Sequence, residues 1–119
     1  MSIIDNLESI LARGQDSALL RYGLGNAYLT GGDPARAAEH LGQAVRLDPN
    51  YSAAWKNYGK SLAALGRHAD ALAAYDQGIA TAERKGDLQA AKEMRVFRKR
   101  LEKDRDRVVA AASIDPDHP

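Results

Sequence analysis

No cysteine occurs in the 119 residues, which removes disulfides, thiolate metal sites and cysteine nucleophiles together. That fits a reducing compartment. No basic leader opens the chain; Asp5 and Glu8 fall within its first eight residues, so a signal peptide is not expected. No apolar run approaches the ~20 residues that a membrane helix needs, and a cytoplasmic protein is expected. Aromatic residues make up only 6% of the chain while alanine is abundant, a balance that suits close helix–helix packing better than sheets. A large net charge is also missing: at +1 the molecule as a whole is no electrostatic match for nucleic acid. The charge is unevenly spread, however. Residues 1–91 hold nine basic and ten acidic side chains, residues 92–107 hold eight and four, and residues 108–119 add two acids. The length allows one domain with a modest core.

What the chain does have is an internal period. Gly25 and Gly59 lie 34 residues apart, as do Gly32 and Gly66, and Ala37 and Ala71. The same offset sets Leu24 against Tyr58, Tyr28 against Leu62 and Leu41 against Tyr75. Ala38 against Leu72 is the one unequal pair. A repeat of this length is the mark of stacked helix pairs.

Each unit reads as two helices and a turn. In the first, Asp16 is expected to cap a helix reaching about Leu29, with Leu20, Leu24, Ala27 and Tyr28 on one stripe. Gly31 and Gly32 end it. Asp33 and Pro34 restart the chain as N-cap and first helical residue, and Ala37, Ala38, Leu41, Ala44 and Val45 form the next stripe. Asp48, Pro49 and Asn50 break it. The second unit follows with Ala54, Trp55, Tyr58, Leu62 and Leu65, a stop at Gly66, then Ala71, Leu72, Tyr75 and Ile79. Ser2 and Asp5 begin a flanking helix that ends at Gly14. After Gly86 and Asp87 a last helix carries Ala90, Met94, Phe97 and Leu101 inward. Its stripe fails beyond Leu101, where Asp104 and Arg105 fall inward, and Val108 to Ala112 would continue it only as a frayed end. Residues 113–119 read as a loose tail. The expected fold is all-α, about six helices with no strand.

These residues resemble the tetratricopeptide repeat. With Ala18 as position one, Leu24, Gly25, Tyr28, Gly32, Ala37, Ala44 and Pro49 stand on the family's signature positions. With Ser52 as position one, Trp55, Gly59, Gly66, Ala71 and Tyr75 do the same. Gly78 replaces the late alanine and Glu83 the closing proline, so the second helix of that unit should run on by about a turn, to Lys85. The resemblance implies antiparallel helix pairs stacked as a short right-handed superhelix. Residues 1–112 would form one domain, with repeats at about 18–51 and 52–85 and caps at about 2–13 and 87–108. Glycine at 25 and 59 would let helices cross closely.

Nothing in the chain groups like a catalytic or metal site. His40, His68 and His118 are scattered, and no glycine pair follows a strand or precedes Lys-Ser/Thr. No enzyme activity, cofactor or metal is expected. What the resemblance implies is a concave groove lined by the first helix of each pair, taking a partner protein or an extended peptide. Its positions are Leu19, Tyr22, Gly23, Asn26 and Thr30, then Ala53, Lys56, Asn57, Lys60 and Ala64. Tyr22, Asn26, Lys56, Asn57 and Lys60 are the candidate peptide-binding residues. The asparagines can donate and accept. Lys56 and Lys60, one turn apart, invite an acidic group, and the tail's own Asp115 and Asp117 are one source. Asn26 and Asn57 also match positions of family members that clamp a chaperone's C-terminal carboxylate. Tyr22 replaces that clamp's first lysine, and Asp87 and Ala91 stand where its third-repeat Lys and Arg would be. The alternative is nucleic-acid or acidic-surface binding by helix 92–107. Against it, Glu102 can pair with Arg98 and Arg105, and Asp104 with Arg100 and Arg107. Nucleic acid and membrane are therefore disfavoured, and a monomer or weak homodimer is expected.

Overall fold

The computed structural model describes residues 2–113, and within them every regular element is a helix: α1 (Ile3–Ala12), α2 (Ala18–Thr30), α3 (Pro34–Leu47), α4 (Ser52–Ala64), α5 (His68–Lys85) and α6 (Leu88–Ser113). The tail residues 114–119, with Asp115 and Asp117, lie outside the described residues. Local chemistry sets the boundaries. The Ser2 hydroxyl accepts from the Asp5 amide at 3.1 Å, and Asp33 accepts from the Arg36 amide at 3.1 Å ahead of Pro34, each satisfying one of a helix's orphan donors. For α2 the cap is Ser17, not Asp16: the Ser17 hydroxyl accepts from the Leu20 amide at 3.0 Å. Asp16 is drawn away by a two-pronged bond with the Arg21 guanidinium at 2.8 and 3.0 Å, a stronger partner than a backbone amide.

α2 packs on α3, α3 on α4, α4 on α5 and α5 on α6, so the pairs stack in chain order. Leu24, Ala37, Leu41, Ala54, Leu62, Ala71, Ala82, Ala91 and Met94 are at most 1% exposed. Three glycines set the spacing. A Cβ on Gly25 would collide with the Leu41 side chain, and one on Gly59 would lie 2.5 Å from the Tyr75 ring. On Gly78 it would strike the Met94 sulfur and lie 2.9 Å from Trp55 Cβ. Gly78 therefore has a packing reason for departing from the repeat pattern: it makes room for α6.

α5 has 18 residues against 14 in α3, the extra turn expected from the absent proline, and Gly86 ends it at φ 76°, a left-handed value that glycine adopts without strain. Because α5 is longer and the following link shorter, α6 starts 36 residues after α4, whereas α4 starts 34 after α2. α6 is thus shifted by two residues against the repeat count. Met94 and Leu101 are buried within the single chain. Beyond Leu101 the helix continues to Ser113, and residues 103–112 are exposed.

α1 has no fully buried residue. Ile4, Leu7 and Leu11 pack partly against Leu24, Tyr28 and Leu41, and a polar clip holds the helix in place. The Tyr28 hydroxyl donates to Glu8 at 2.8 Å, and His40 Nε2 lies 3.5 Å from the same carboxylate. Arg21 lies 3.1 Å from His40 Nδ1. A guanidinium only donates, so Nδ1 is the acceptor and Nε2 carries the hydrogen toward Glu8.

Two stability outcomes follow from this packing. Gly59→Ala should lower the unfolding free energy, read from urea titration, by about 1–3 kcal/mol through overpacking. Gly42→Ala, whose Cβ would meet only ordinary contacts at 3.4–3.5 Å with the ends of Tyr58 and Arg46, should raise stability by about 0.5–1 kcal/mol through helix propensity. Equal shifts in the same direction would refute the close-contact geometry. On the alkaline side, burial pushes the Tyr75 phenol up to about 12. Its ionised form is thus disfavoured in the folded state, so stability should fall between pH ~10, where the unfolded phenol ionises, and pH ~12. Tyr75→Phe should remove that component of an alkaline urea series.

Candidate peptide-binding face

The helices α2, α4 and α6 lie side by side, with contacts from α2 to α4 and from α4 to α6. Their shared face is built from the middle outward. Asn57 is buried and donates its amide to Asn26 Oδ1 at 3.3 Å. One helix further along, Lys56 Nζ donates to Glu93 at 3.1 Å, the other oxygen of Glu93 accepts from Gln89 at 3.2 Å, and Lys60 Nζ stands 5.5 Å from the centre of the Phe97 ring. Tyr22 is half-buried, its ring 4.8 Å from that of Tyr51, and packs toward Ala44, Val45 and Ala54.

All five sequence candidates therefore lie on α2 and α4, and Asn26, Lys56, Asn57 and Lys60 all have polar or ring partners on this face. Two of them have partners within the chain. Asn57 is buried and ties α2 to α4 through Asn26. The acidic group that Lys56 invites comes from the chain itself, as Glu93. Asn26 and Lys60 remain exposed. Sequence reasoning missed Glu93 because the repeat count was carried two residues too far back on α6. With the shift, Gln89 and Glu93, not Asp87 and Ala91, occupy the positions of the carboxylate clamp's third-repeat Lys and Arg. An acid in place of a cation opposes a clamp of that design. The signal was available in Glu83, whose lengthened α5 displaces α6.

Lys56 and Gln89 donate hydrogen bonds to Glu93, and with the nearby Lys60 charge they hold its carboxyl below the usual carboxylate range. Two hollows open at the ends of the face. One of about 450 Å³ lies between α1 and α2, lined by Ile3, Ile4, Gly23, Asn26 and Thr30 among others. The other, about 210 Å³, is lined by Gln89, Lys92, Glu93, Val96 and Phe97. The Asn26–Asn57 bond and the Lys60–Phe97 contact link them through the middle. Among the described residues no cluster of three His, Asp or Glu side chains could hold a metal ion, and no helix is long and apolar enough to cross a membrane.

On helix 92–107, Arg98 pairs with Glu102 as the spacing suggested, and also with Asp76 at 2.6 Å. Arg95 pairs with Glu83. Arg107 lies 3.9 Å from Asp104, while Arg105 turns to its neighbour Asp106 at 3.1 Å and not to Glu102.

Helix pairs stacked in chain order through glycine contacts define a helical-repeat protein. The tetratricopeptide repeat family model matches residues 4–50 and, overlapping, 22–87, and the chain belongs to that family. It is similar to a TPR repeat-containing protein of Pseudomonas aeruginosa, 53% identical over 87% of this chain and 98% of that one. Among solved structures it resembles a protein from Bordetella parapertussis studied in solution, 41% identical with a TM-score of 0.75 over 87% of this chain and 90% of that one. The Sgt2 TPR domain of Aspergillus fumigatus shares the fold at a TM-score of 0.76 and 24% identity, over 98% of this chain and 74% of that one. Tetratricopeptide repeats are in general protein–protein interaction modules and non-catalytic scaffolds.

Glu93 gives an acid-side prediction. Its carboxyl is lowered in the folded state, so its contribution to stability is present above the unfolded value of ~4.3 and is lost as pH falls through the lower folded value. Urea midpoints taken from pH 6 down to pH 3 should fall less steeply in Glu93→Gln than in the parent. Parallel curves would show that the Lys56–Glu93 pair does not help dock α6.

Proposed function

We propose that the chain is a non-catalytic, cytoplasmic adaptor, a module of residues 1–112, that holds a partner protein or an extended peptide across the face of α2, α4 and α6. The observation that carries this reading is the pair of hollows joined by a track of side chains, with Asn26 and Lys60 exposed along it. Asn26 can pair with a peptide backbone, since its amide both donates and accepts. Lys60 offers a cation to an acidic group. Tyr22, Lys56 and Asn57 support the site by holding the helices in place, and alanine at Asn57 would disturb the fold before it tested binding.

Nucleic-acid binding by helix 92–107 is the weaker reading. Four of its five arginines, at 95, 98, 105 and 107, are already matched by carboxylates, which leaves fewer cations for phosphates. A monomer is favoured over a homodimer, because, of the apolar residues that α6 turns inward, Met94 and Leu101 are buried by the chain's own helices and Phe97 is half-buried.

The test is the double variant Asn26→Ala with Lys60→Ala, measured by calorimetry against the partner recovered on the parent protein. Helicity by circular dichroism should be unchanged and affinity should fall about tenfold. The double variant Gln43→Ala with Gln77→Ala, at exposed positions on α3 and α5, should bind as the parent does. The opposite pattern would move the site to the face formed by α3 and α5.

A further inference from the structure

We propose that the outward stripe of α6 is a docking surface for an acidic segment that carries one large apolar side chain. This deepens the reading above and rests on it. The first observation is how the basic residues of α6 are sorted. Arg95, Arg98, Arg105 and Arg107 each have a carboxylate partner. Lys92, Lys99, Arg100 and Lys103 have none within ion-pair range among the described residues. These four do not scatter. Leu88, Lys92, Val96, Lys99 and Lys103 follow one another at helical spacings of four, four, three and four, a single stripe along the helix, and Arg100 borders it, four residues after Val96 and three before Lys103. Lys99 and Lys103 are a like-charged pair one turn apart, which weakens an isolated helix. An incoming carboxylate turns that repulsion into attraction.

The second observation is apolar. Leu88 is 69% exposed and Val96 44%, in the same stripe as the cations. Beside Val96 lies the hollow of about 210 Å³ that Phe97 and Lys92 help to line, of a size to take one side chain. Lys60 reaches its rim from α4 by standing over Phe97. The ligand chemistry that matches is a run of Asp or Glu around one Leu or Phe. The apolar side chain enters the hollow and the carboxylates meet Lys92, Lys99, Arg100 and Lys103. From Lys92 to Lys103 the helix rises about 16 Å, the span of about five extended residues.

A nucleic acid fits this surface less well. Glu93 stands on the rim of the hollow, where the acidic segment places its apolar side chain but a nucleic acid, charged at every residue, would bring a phosphate. The one aromatic ring there is half-buried and lies beneath Lys60, so successive bases have no platform to stack on.

The experiment is fluorescence anisotropy on the full chain with a labelled acidic peptide of about twelve residues, Glu and Ser around a central Phe, long enough to cover the stripe. The parent should bind it, and the affinity should weaken severalfold from about 50 to about 300 mM salt. Replacing the peptide's Glu by Gln, or the protein's Lys99 and Lys103 by Glu, should cost about tenfold, and replacing the peptide's Phe by Ala about fivefold. The charge-reversed positions are exposed, so circular dichroism should show an intact fold. The proposal is overturned if the parent does not bind, if Lys99→Glu/Lys103→Glu binds equally well, if the Phe→Ala peptide binds as tightly as the original, or if an oligothymidine of similar length binds more tightly than the peptide. Loss in Asn26→Ala/Lys60→Ala with no loss in the stripe variant would sink this inference and leave the wider face as the site. Unchanged binding by both variants would sink both readings.

Discussion

The distance between helices at Gly25, Gly59 and Gly78 is the constraint from which the rest of the molecule follows. At each, a large side chain of a neighbouring helix fills the space that a Cβ would need: Leu41, Tyr75 and Met94 in turn. Such close approach lets Leu24, Leu41, Leu62, Tyr75 and Met94 interlock in a chain with one tryptophan and one phenylalanine. Interiors packed at this density respond to a single methyl group. The Asn26–Asn57 bond and the Lys60–Phe97 contact depend on the same spacing, since both reach from one helix to its neighbour across a gap the packing has fixed.

A stack of helix pairs must also end, because every pair presents an apolar side to the next. The chain ends its stack differently on its two sides. With α6 shifted by two residues, Arg95 stands at the helix position that Gly25 and Gly59 occupy in α2 and α4. It reaches back to Glu83, and Arg98 reaches to Asp76. A guanidinium where the pattern requires a bare backbone blocks a further helix from packing in the same way. At the other end α1 buries little and is held by Glu8 against Tyr28 and His40. The ring of His40 lies parallel to that of Tyr28 at 5.6 Å, so the clip sits on a rigid base.

Much of the fold was legible because the repeat places residues of matched size at one period. The positions of the glycines, the Asp33–Pro34 start and the extra turn of α5 all follow from local rules. Asp16 was misread because a carboxylate can cap a helix or bind an arginine, and sequence order alone does not say which partner wins. The face was harder to read. Asn57 and Lys56 look like ligand hooks in a list of polar residues on one helix. Whether they are depends on what the adjacent helix brings opposite them, and that is a tertiary fact. For α6 it turned on two residues: the difference between Ala91, which is buried, and Glu93, which meets Lys56.

That two-residue shift also explains why the face is not uniform. Between α2 and α4 an amide meets an amide, a neutral pairing that leaves Asn26 with donors to spare. Between α4 and α6 a lysine meets a carboxylate, and a second lysine is left over an aromatic ring. Along α6 itself Arg95 and Arg98 take carboxylates of α5, and Glu102, Asp104 and Asp106 pair within the helix, so positive charge accumulates on the side that no helix covers. The polarity of the face therefore runs from neutral at α2 to basic at α6. It follows from which residues the packing consumed, and any partner that lies along all three helices meets that gradient in one direction only.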